Sequence, residues 1–268
     1  MSTIAAIARL SVLTGALLLP LGAEEPSKEA AAPAPAQPEP PQVEKVGDTG
    51  FKIGLIEFDS ATREIRFPAR VNMQEGMIEF PITHENGRVH EAIFITKALP
   101  LHLETALRLL RFKASPEVFP TYPGVDFNNP PPYEEWPDPV YPAAIPESHV
   151  QVFVSWADKK EPVDIRAMLY RSGEESTEDK DAVRFEKLAP HWVFTGSNEK
   201  MGLEVESLGG AIVGIRPEPA CSINTVSSEI VHQLEWFADQ KRIPAPDTQV
   251  TIHIRPFAKP PTSEETKP

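Results

Sequence analysis

The sequence contains a single cysteine, Cys221, and this scarcity excludes several classes of protein. One thiol cannot form an internal disulfide, and an iron–sulfur cluster needs several thiolate ligands. Cys221 is therefore interpreted as a small, buried apolar residue. Stability has to come from a hydrophobic core, which a domain of about 200 residues is large enough to build.

Positive charge is also scarce. The sequence has 26 lysines and arginines but 39 aspartates and glutamates, which gives a net charge of −13. Such a chain repels phosphate backbones and anionic membrane surfaces, which argues against both as partners. The sequence has no Gly-x-Ser-x-Gly elbow, no Walker loop and no pair of histidines four residues apart on a helix. We therefore predict no cofactor and assign no metal site.

Long apolar runs are missing outside the N-terminus, so we expect no membrane span in the mature protein. Residues 1–23 resemble a secretory signal peptide, with Arg9 before an apolar stretch at 10–21. A lipoprotein would need a cysteine just after the signal. We therefore predict an exported protein, periplasmic or extracellular, that is not a lipoprotein. Residues 24–46 predict a disordered tether rich in Pro, Ala and Glu, and 258–268 a disordered tail.

The globular domain is expected over residues 47–257, and its period-2 runs predict a β-rich fold. Two apolar stripes at helical spacing predict amphipathic helices at 100–113 and 226–240. The predicted class is α+β, an antiparallel β-rich domain with two amphipathic helices, arranged as two β-rich halves that each carry a helix. The predicted strands lie at 53–58, 64–71, 77–83, 89–96, 150–156, 163–170, 192–195, 203–207, 211–215 and 250–254.

Residues 115–148 form an insert in which ten prolines alternate with aromatic residues. No regular element continues through so many prolines. Two interpretations stay open: an ordered arm whose aromatics cover the core, or a mobile loop that presents them to a ligand or partner. The aromatic content favours the ordered arm.

The dipeptide Asn86-Gly87 is a strong signal for a tight β-hairpin turn between strands 77–83 and 89–96. The pairing that follows from this turn places Glu91 on a face of isoleucines. A lone carboxylate on a core-facing surface is costly and needs a reason. Glu91 is either an acid or base with a shifted pKa in a functional site, or a structural group that pairs with an arginine or with backbone N–H groups.

The loop before this hairpin gathers three polar side chains, Asn72, Gln74 and Glu75, and Gly76 permits a bulge or tight turn. Loops held by a rigid sheet often carry binding groups, although an ordinary polar turn has the same composition. We predict ligand binding by Asn72, Glu75 and Glu91.

Catalytic candidates are Glu91, His90 and Glu75, and none is assigned a role. Among carboxylates, Glu75 with Glu91 is the one reasonable pair for glycoside hydrolysis. A zinc site that uses His90 and Glu79 with a distant ligand is left open.

Four segments resemble the YdjY-type domain of exported bacterial proteins. They run from Gly76 through Phe80, Gly87 through Glu91, Trp192 through Ser197 and Gly210 through Ile215. The resemblance covers roughly residues 48–114 and 188–256, and the intervening part does not match clearly. It implies no established biochemical role.

The expected function is that of an exported cell-envelope domain that binds an unidentified ligand or protein. Two alternatives are kept. One is a hydrolase-like enzyme with Glu91 as general base, helped by His90 or Glu75. The other is a structural envelope protein without a pocket.

Overall fold

A computed structural model describes residues 42–171, 183–196, 210–226 and 236–257. Several predictions fall on other residues and lie outside this described part. They are the signal peptide, most of the tether, the strand at 203–207, the centre of the second helix and the C-terminal tail.

The described residues form a mainly β structure whose strands are named here in chain order. They are β1 Glu44–Val46, β2 Gly50–Ile53, β3 Ile56–Asp59, β4 Ile65–Val71, β5 Phe80–His84, β6 Ala92–Thr96, β7 His149–Trp156, β8 Lys159–Asp164, β9 Leu169–Arg171, β10 Val183–Arg184, β11 Trp192–Phe194, β12 Ala211–Gly214, β13 Ile223–Thr225, β14 Phe237–Ala238 and β15 Gln249–Pro256. The first of them, β1, uses the last residues of the predicted tether.

Eight of these strands close into a barrel in the order β4, β15, β7, β11, β13, β12, β5 and β6. Closure comes from antiparallel pairing of β6 with β4, which sets Ile95 opposite Arg70 and Phe94 opposite Val71. Strands β3, β2 and β1 extend outward from β4, and β8 pairs with β7. Strands β10, β9 and β14 form a separate three-stranded sheet.

Alternation along the strands fills the barrel with apolar side chains. In β4 every second residue is buried and the residues between them are more exposed. Strand β15 shows the same alternation, with Val250, Ile252 and Ile254 buried. The predicted strands at 64–71, 150–156 and 250–254 are confirmed.

Three large rings form one corner of this core. Trp192 is 0% exposed and stacks on Phe185 with ring centroids 5.2 Å apart. Phe185 meets Trp236 edge-on at 4.8 Å. These contacts join β11 to the single helical turn Phe185–Leu188 (α2) and to the residue before β14.

The longer helix, α1, spans Pro100–Leu109 and starts with its proline at the first helical position, where a missing N–H costs nothing. Its stripe of Leu103, Ala106 and Leu107 is fully buried. The helix ends before Arg111, which has a φ of +64°. No described helix has both the length and the apolar character needed to cross a membrane.

The predicted α+β class with two amphipathic helices is wrong, because the described residues form a closed β-barrel with only one helix longer than a turn. Within the second predicted helix, Phe237–Ala238 forms β14 and pairs with β9. Backbone pairing therefore overrides the helical spacing of the apolar residues there. A single barrel also replaces the two predicted halves.

The predicted hairpin is also wrong, because β5 and β6 are neighbours that run parallel, with Phe80 opposite Ala92 and Ile82 opposite Phe94. The chain does turn near Asn86, where the Gly87 N–H donates to the His84 carbonyl at 2.8 Å. The returning residues Val89–Glu91 form a 3-10 turn and not a strand. The Glu79 N–H donates to the Glu91 carbonyl at 3.1 Å and holds that turn beside β5.

The predicted strand at 53–58 is wrong as well, since the chain reverses inside it and forms the β2–β3 hairpin. Gly54 has a φ of +56°, which suits glycine. A Cβ at this position would lie 2.4 Å from His102 Nδ1. Local apolar alternation predicts strand here but does not reveal the turn.

The insert at 115–148 contains 3-10 turns at Tyr133–Glu135 and Pro146–Ser148. Thr121 and Val140 pair as an isolated bridge. Its rings gather around Trp136, whose centroid lies between 4.9 and 5.6 Å from those of Tyr122, Phe127 and Tyr133. Phe127 and Tyr133 are 65% and 73% exposed, so these aromatics pack largely on one another.

On the outer barrel face, a polar network links β4, β7 and β15. His253 Nδ1 lies 3.0 Å from Glu64 Oε1, and His253 Nε2 lies 2.8 Å from Ser155 Oγ. Burial lowers the pKa of His253 below 6.5, against the effect of Glu64 and with that of Arg255 and Arg66. Burial would raise the pKa of Glu64, but hydrogen bonds from Arg255 and His253 outweigh it and hold this pKa below 4.5.

These shifts predict that acid destabilises the domain in two steps. Between its folded pKa and 6.5, His253 binds more protons in the unfolded chain, so stability falls as the pH drops below 6.5. Glu64 stabilises the fold above pH 4.5, and this contribution is lost as the pH falls through its folded pKa. Urea unfolding from pH 7 to 4 should show both losses. His253→Gln should flatten the curve just below pH 6.5, and an unchanged slope in that variant would contradict the assignment.

Candidate metal centre

The side chain of Asn72 is half-buried and holds the turn before β6. Its Nδ2 donates to the carbonyls of Val89 at 2.6 Å and Ala92 at 2.9 Å. Its backbone N–H donates to Ile93 O at 2.7 Å. The amide thus cross-links the loop after β4 to the 3-10 turn.

Glu91 and His90 lie next to each other in that turn, with Glu91 Oε1 3.5 Å from His90 Nε2. Their side chains are 25% and 72% exposed, so Glu91 does not face a sealed apolar surface. Glu75 is exposed. Among the contacts of the described residues, none joins Glu75 to either of them, so the three predicted residues are not brought together.

A different cluster does converge, and it consists of Glu117, His149 and His191. Each offers one ligand atom, and the three atoms all lie within 4.8 Å of one another. Glu117 Oε1 is 3.0 Å from His149 Nε2. The two imidazole rings stack with centroids 3.8 Å apart.

Three separate elements position this cluster. His149 is the first residue of β7, and His191 immediately precedes β11, which pairs with β7. Glu117 lies at the start of the insert, which is attached to β11 by a hydrogen bond from Ser115 N–H to Phe194 O at 2.9 Å.

Neighbouring groups fix the orientation of the Glu117 carboxylate. Its Oε2 accepts hydrogen bonds from Ser115 Oγ at 3.1 Å and from the Ile145 N–H at 2.8 Å. The side chain of Glu117 is only 8% exposed and that of His149 14%. Outer groups that orient a ligand in this way are typical of protein metal sites.

His191 is held from both sides. Arg166 donates through its guanidinium to the carbonyls of Ala189 and Pro190, just before His191. The ring of Phe257 lies 4.7 Å from the ring of His191, centroid to centroid. The segment before β11 is thereby fixed against the outer face of the barrel.

The imidazole of His191 is neutral at neutral pH. Burial, with the charges of His149 and Arg166, lowers the pKa of His191 to about 4. Its Nδ1 is buried and has no hydrogen-bond partner among the described residues. A buried polar atom without a hydrogen-bond partner lowers the stability of the fold unless a water molecule or an ion satisfies it.

The donor set of two imidazoles and one carboxylate matches the ligands that zinc and other divalent transition metals prefer. In a tetrahedral site, ligand atoms about 2.0–2.1 Å from zinc lie roughly 3.3 Å apart. The ligand atoms of this cluster lie within 4.8 Å of one another, and the two imidazole rings are stacked at 26° to each other, so the histidine side chains have to rotate for their nitrogens to converge on one ion.

None of these three residues is among the sites predicted from the sequence. His149 heads an alternating strand on its polar face and His191 precedes a buried tryptophan, but neither spacing matches a metal motif. The site depends on the β7–β11 pairing and on the path of the insert. The sequence signals do not specify either one.

A family model for the YdjY domain matches residues 56–255 of the chain. No curated protein matches. No solved structure matches. The matched region runs from the start of β3 to the penultimate residue of β15, so it spans the barrel and all three residues of the cluster. The chain therefore belongs to the YdjY domain family.

Proposed function

We infer that this YdjY domain binds a divalent transition-metal ion through Glu117, His149 and His191, and that it does so after export to the cell envelope. The observation that carries the proposal is the convergence of three ligand atoms within 4.8 Å. Export rests on the signal-peptide pattern of residues 1–23.

The chemistry of the cluster favours a transition metal over magnesium or calcium. Those two cations take oxygen ligands, whereas two of the three donors here are imidazole nitrogens. Three protein ligands leave a coordination position open for water or another group, as in catalytic zinc sites and in iron sites with two histidines and a carboxylate. Zinc is the natural probe for this site.

Recognition of a ligand by Asn72, Glu75 and Glu91 stays a separate prediction. So do the hydrolase alternative with Glu91 as general base and the structural alternative. Since Asn72 already donates two hydrogen bonds to backbone carbonyls, a ligand would have to compete with them for its amide.

Zinc should raise the thermal stability of the domain. A ligand that binds only the folded state at about 100 times its Kd stabilises it by about 2.7 kcal/mol. For a domain of this size that corresponds to a Tm increase of roughly 5–10 °C. Calorimetric titration of zinc into chelator-treated protein should give one site per chain, with a matching Tm shift.

His191→Gln is the sharpest variant, because its ring makes the fewest hydrogen bonds in the cluster. We expect it to abolish the zinc-dependent Tm increase while the metal-free Tm changes little. His84→Gln is the matched control, since His84 is the last residue of β5 and lies outside the cluster, and it should respond to zinc as wild type does. Equal zinc responses in both variants would reject the site.

A further inference from the structure

A second polar constellation lies on the outer barrel face and shares no residue with the metal cluster. Ser155 Oγ, the two ring nitrogens of His253 and Glu64 Oε1 form a continuous line, with separations of 2.8 Å and 3.0 Å. A hydroxyl, an imidazole and a carboxylate in this order are the parts of a nucleophile, its base and the group that orients the base.

Strand register accounts for this alignment. In the antiparallel pairing of β15 with β7, Thr251 lies opposite Ser155 and His253 opposite Phe153, so Ser155 and His253 are diagonal neighbours on one face. Glu64 directly precedes β4, which pairs with β15 on its other side. The β7–β8 pairing shifts register between Val154 and Trp156, next to the serine. Such irregularities often lie beside functional side chains.

The constellation is partly enclosed. The side chains of His253 and Glu64 are 12% and 20% exposed. Arg255 donates to the same Glu64 oxygen through Nε at 2.8 Å, which fixes the carboxylate in place. The lowered pKa values of His253 and Glu64 keep the imidazole neutral and the carboxylate ionised at neutral pH, which is the state that a base and its orienting group require.

We propose that Ser155 is a nucleophile toward small activated acyl esters, with His253 as its general base and Glu64 as the positioning residue. This activity is independent of the proposed metal function. Phe153 lies opposite His253 on the same face, so small aryl and short-chain acyl esters are the substrate class that the side chains beside Ser155 favour.

The reaction balances without another reactant except water. Ser155 Oγ bonds to the ester carbonyl carbon and its proton passes to His253 Nε2. The bond from that carbon to the leaving oxygen breaks, and the alcohol departs with the proton. Water then attacks the acyl group, gives a proton to His253 Nε2, and the acid is released as Ser155 regains its proton. Glu64 stays ionised and holds Nδ1–H throughout.

A fluorophosphonate probe on the full chain tests the proposal directly. Its phosphorus should bond to Ser155 Oγ as fluoride leaves, and peptide mass spectrometry of the wild-type protein should place the label on Ser155. This readout does not depend on any variant folding. No label at Ser155 would overturn the proposal.

Variants then separate reactivity from structure. His253→Gln should slow labelling and p-nitrophenyl acetate hydrolysis at least tenfold, since general base catalysis typically contributes 10²–10⁴-fold. In the wild-type protein the labelling rate is expected to rise with pH, with an apparent pKa below 6.5. The pH profile of the Glu64→Gln variant should be shifted from this wild-type profile. Ser60→Ala, a change of an exposed serine elsewhere, should label as wild type does.

The proposed metal binding and the reactivity of Ser155 can be tested separately. A chelator should leave Ser155 labelling unchanged. Labelling that is equally fast in His253→Gln and wild type would show an ordinary surface hydroxyl and would reject the proposed relay.

Discussion

Trp192→Ala is expected to lower the free energy of unfolding by about 3–5 kcal/mol, the usual cost of removing a large buried aromatic side chain. Trp192 is fully buried and stacks on Phe185, which in turn packs edge-on against Trp236. A cavity at this position would loosen the contacts that join β11 to α2 and to Trp236. Urea unfolding should show the loss directly, and Tm should fall by roughly 10 °C.

Two further variants make this result specific. Trp192→Phe should cost less, since it keeps an aromatic ring and removes an indole N–H that has no hydrogen-bond partner among the described residues. Leu101→Ala, on the exposed side of α1, should change stability by no more than about 0.5 kcal/mol. A loss below about 1 kcal/mol for Trp192→Ala would show that this corner is not packed as described.

Asn72→Asp should have the second largest effect, about 2–4 kcal/mol of lost stability at neutral pH. The substitution keeps the shape of the side chain but replaces the Nδ2 donor by a carboxylate oxygen. That oxygen would face the carbonyls of Val89 and Ala92 at the distances where hydrogen bonds now lie. Repulsion and the lost bonds should free the 3-10 turn at Val89–Glu91.

This substitution also tests the sequence hypothesis that Asn72 binds a ligand. Asn86→Asp, which makes the same chemical change on an exposed loop residue, is the matched control and should be nearly neutral. If Asn72→Asp were equally neutral, its amide would be free for recognition, and its structural role would be refuted. Chemical denaturation of both proteins at pH 7 decides between these outcomes.

The sequence predicts the strands that alternate strictly, and it fails where pairing is not local. Strands β4, β7 and β15 carry clean alternation and are found where the pattern places them. Parallel pairing of β5 with β6 is different, because Asn72 and Glu79 fix the intervening turn from outside it. No local signal at Asn86-Gly87 reports those distant partners.

The candidate sites also depend on pairings that are not local. Glu117 and His191 lie 74 positions apart and meet only because the insert is attached to β11. Ser155 and His253 meet because β15 inserts between β4 and β7. A single sequence gives the chemistry of each residue but not these pairings, so the metal cluster and the Ser155 relay could not be predicted from it.

The position of β15 between β4 and β7 has a consequence for biosynthesis. Until residues 249–256 have left the ribosome, β4 and β7 each lack a partner along one side, and both sides expose unpaired N–H and C=O groups. The barrel therefore cannot close during translation of its earlier strands. A nascent chain whose barrel stays open until β15 has been made keeps these strand edges available for pairing with other chains, so aggregation is the hazard that its synthesis has to avoid.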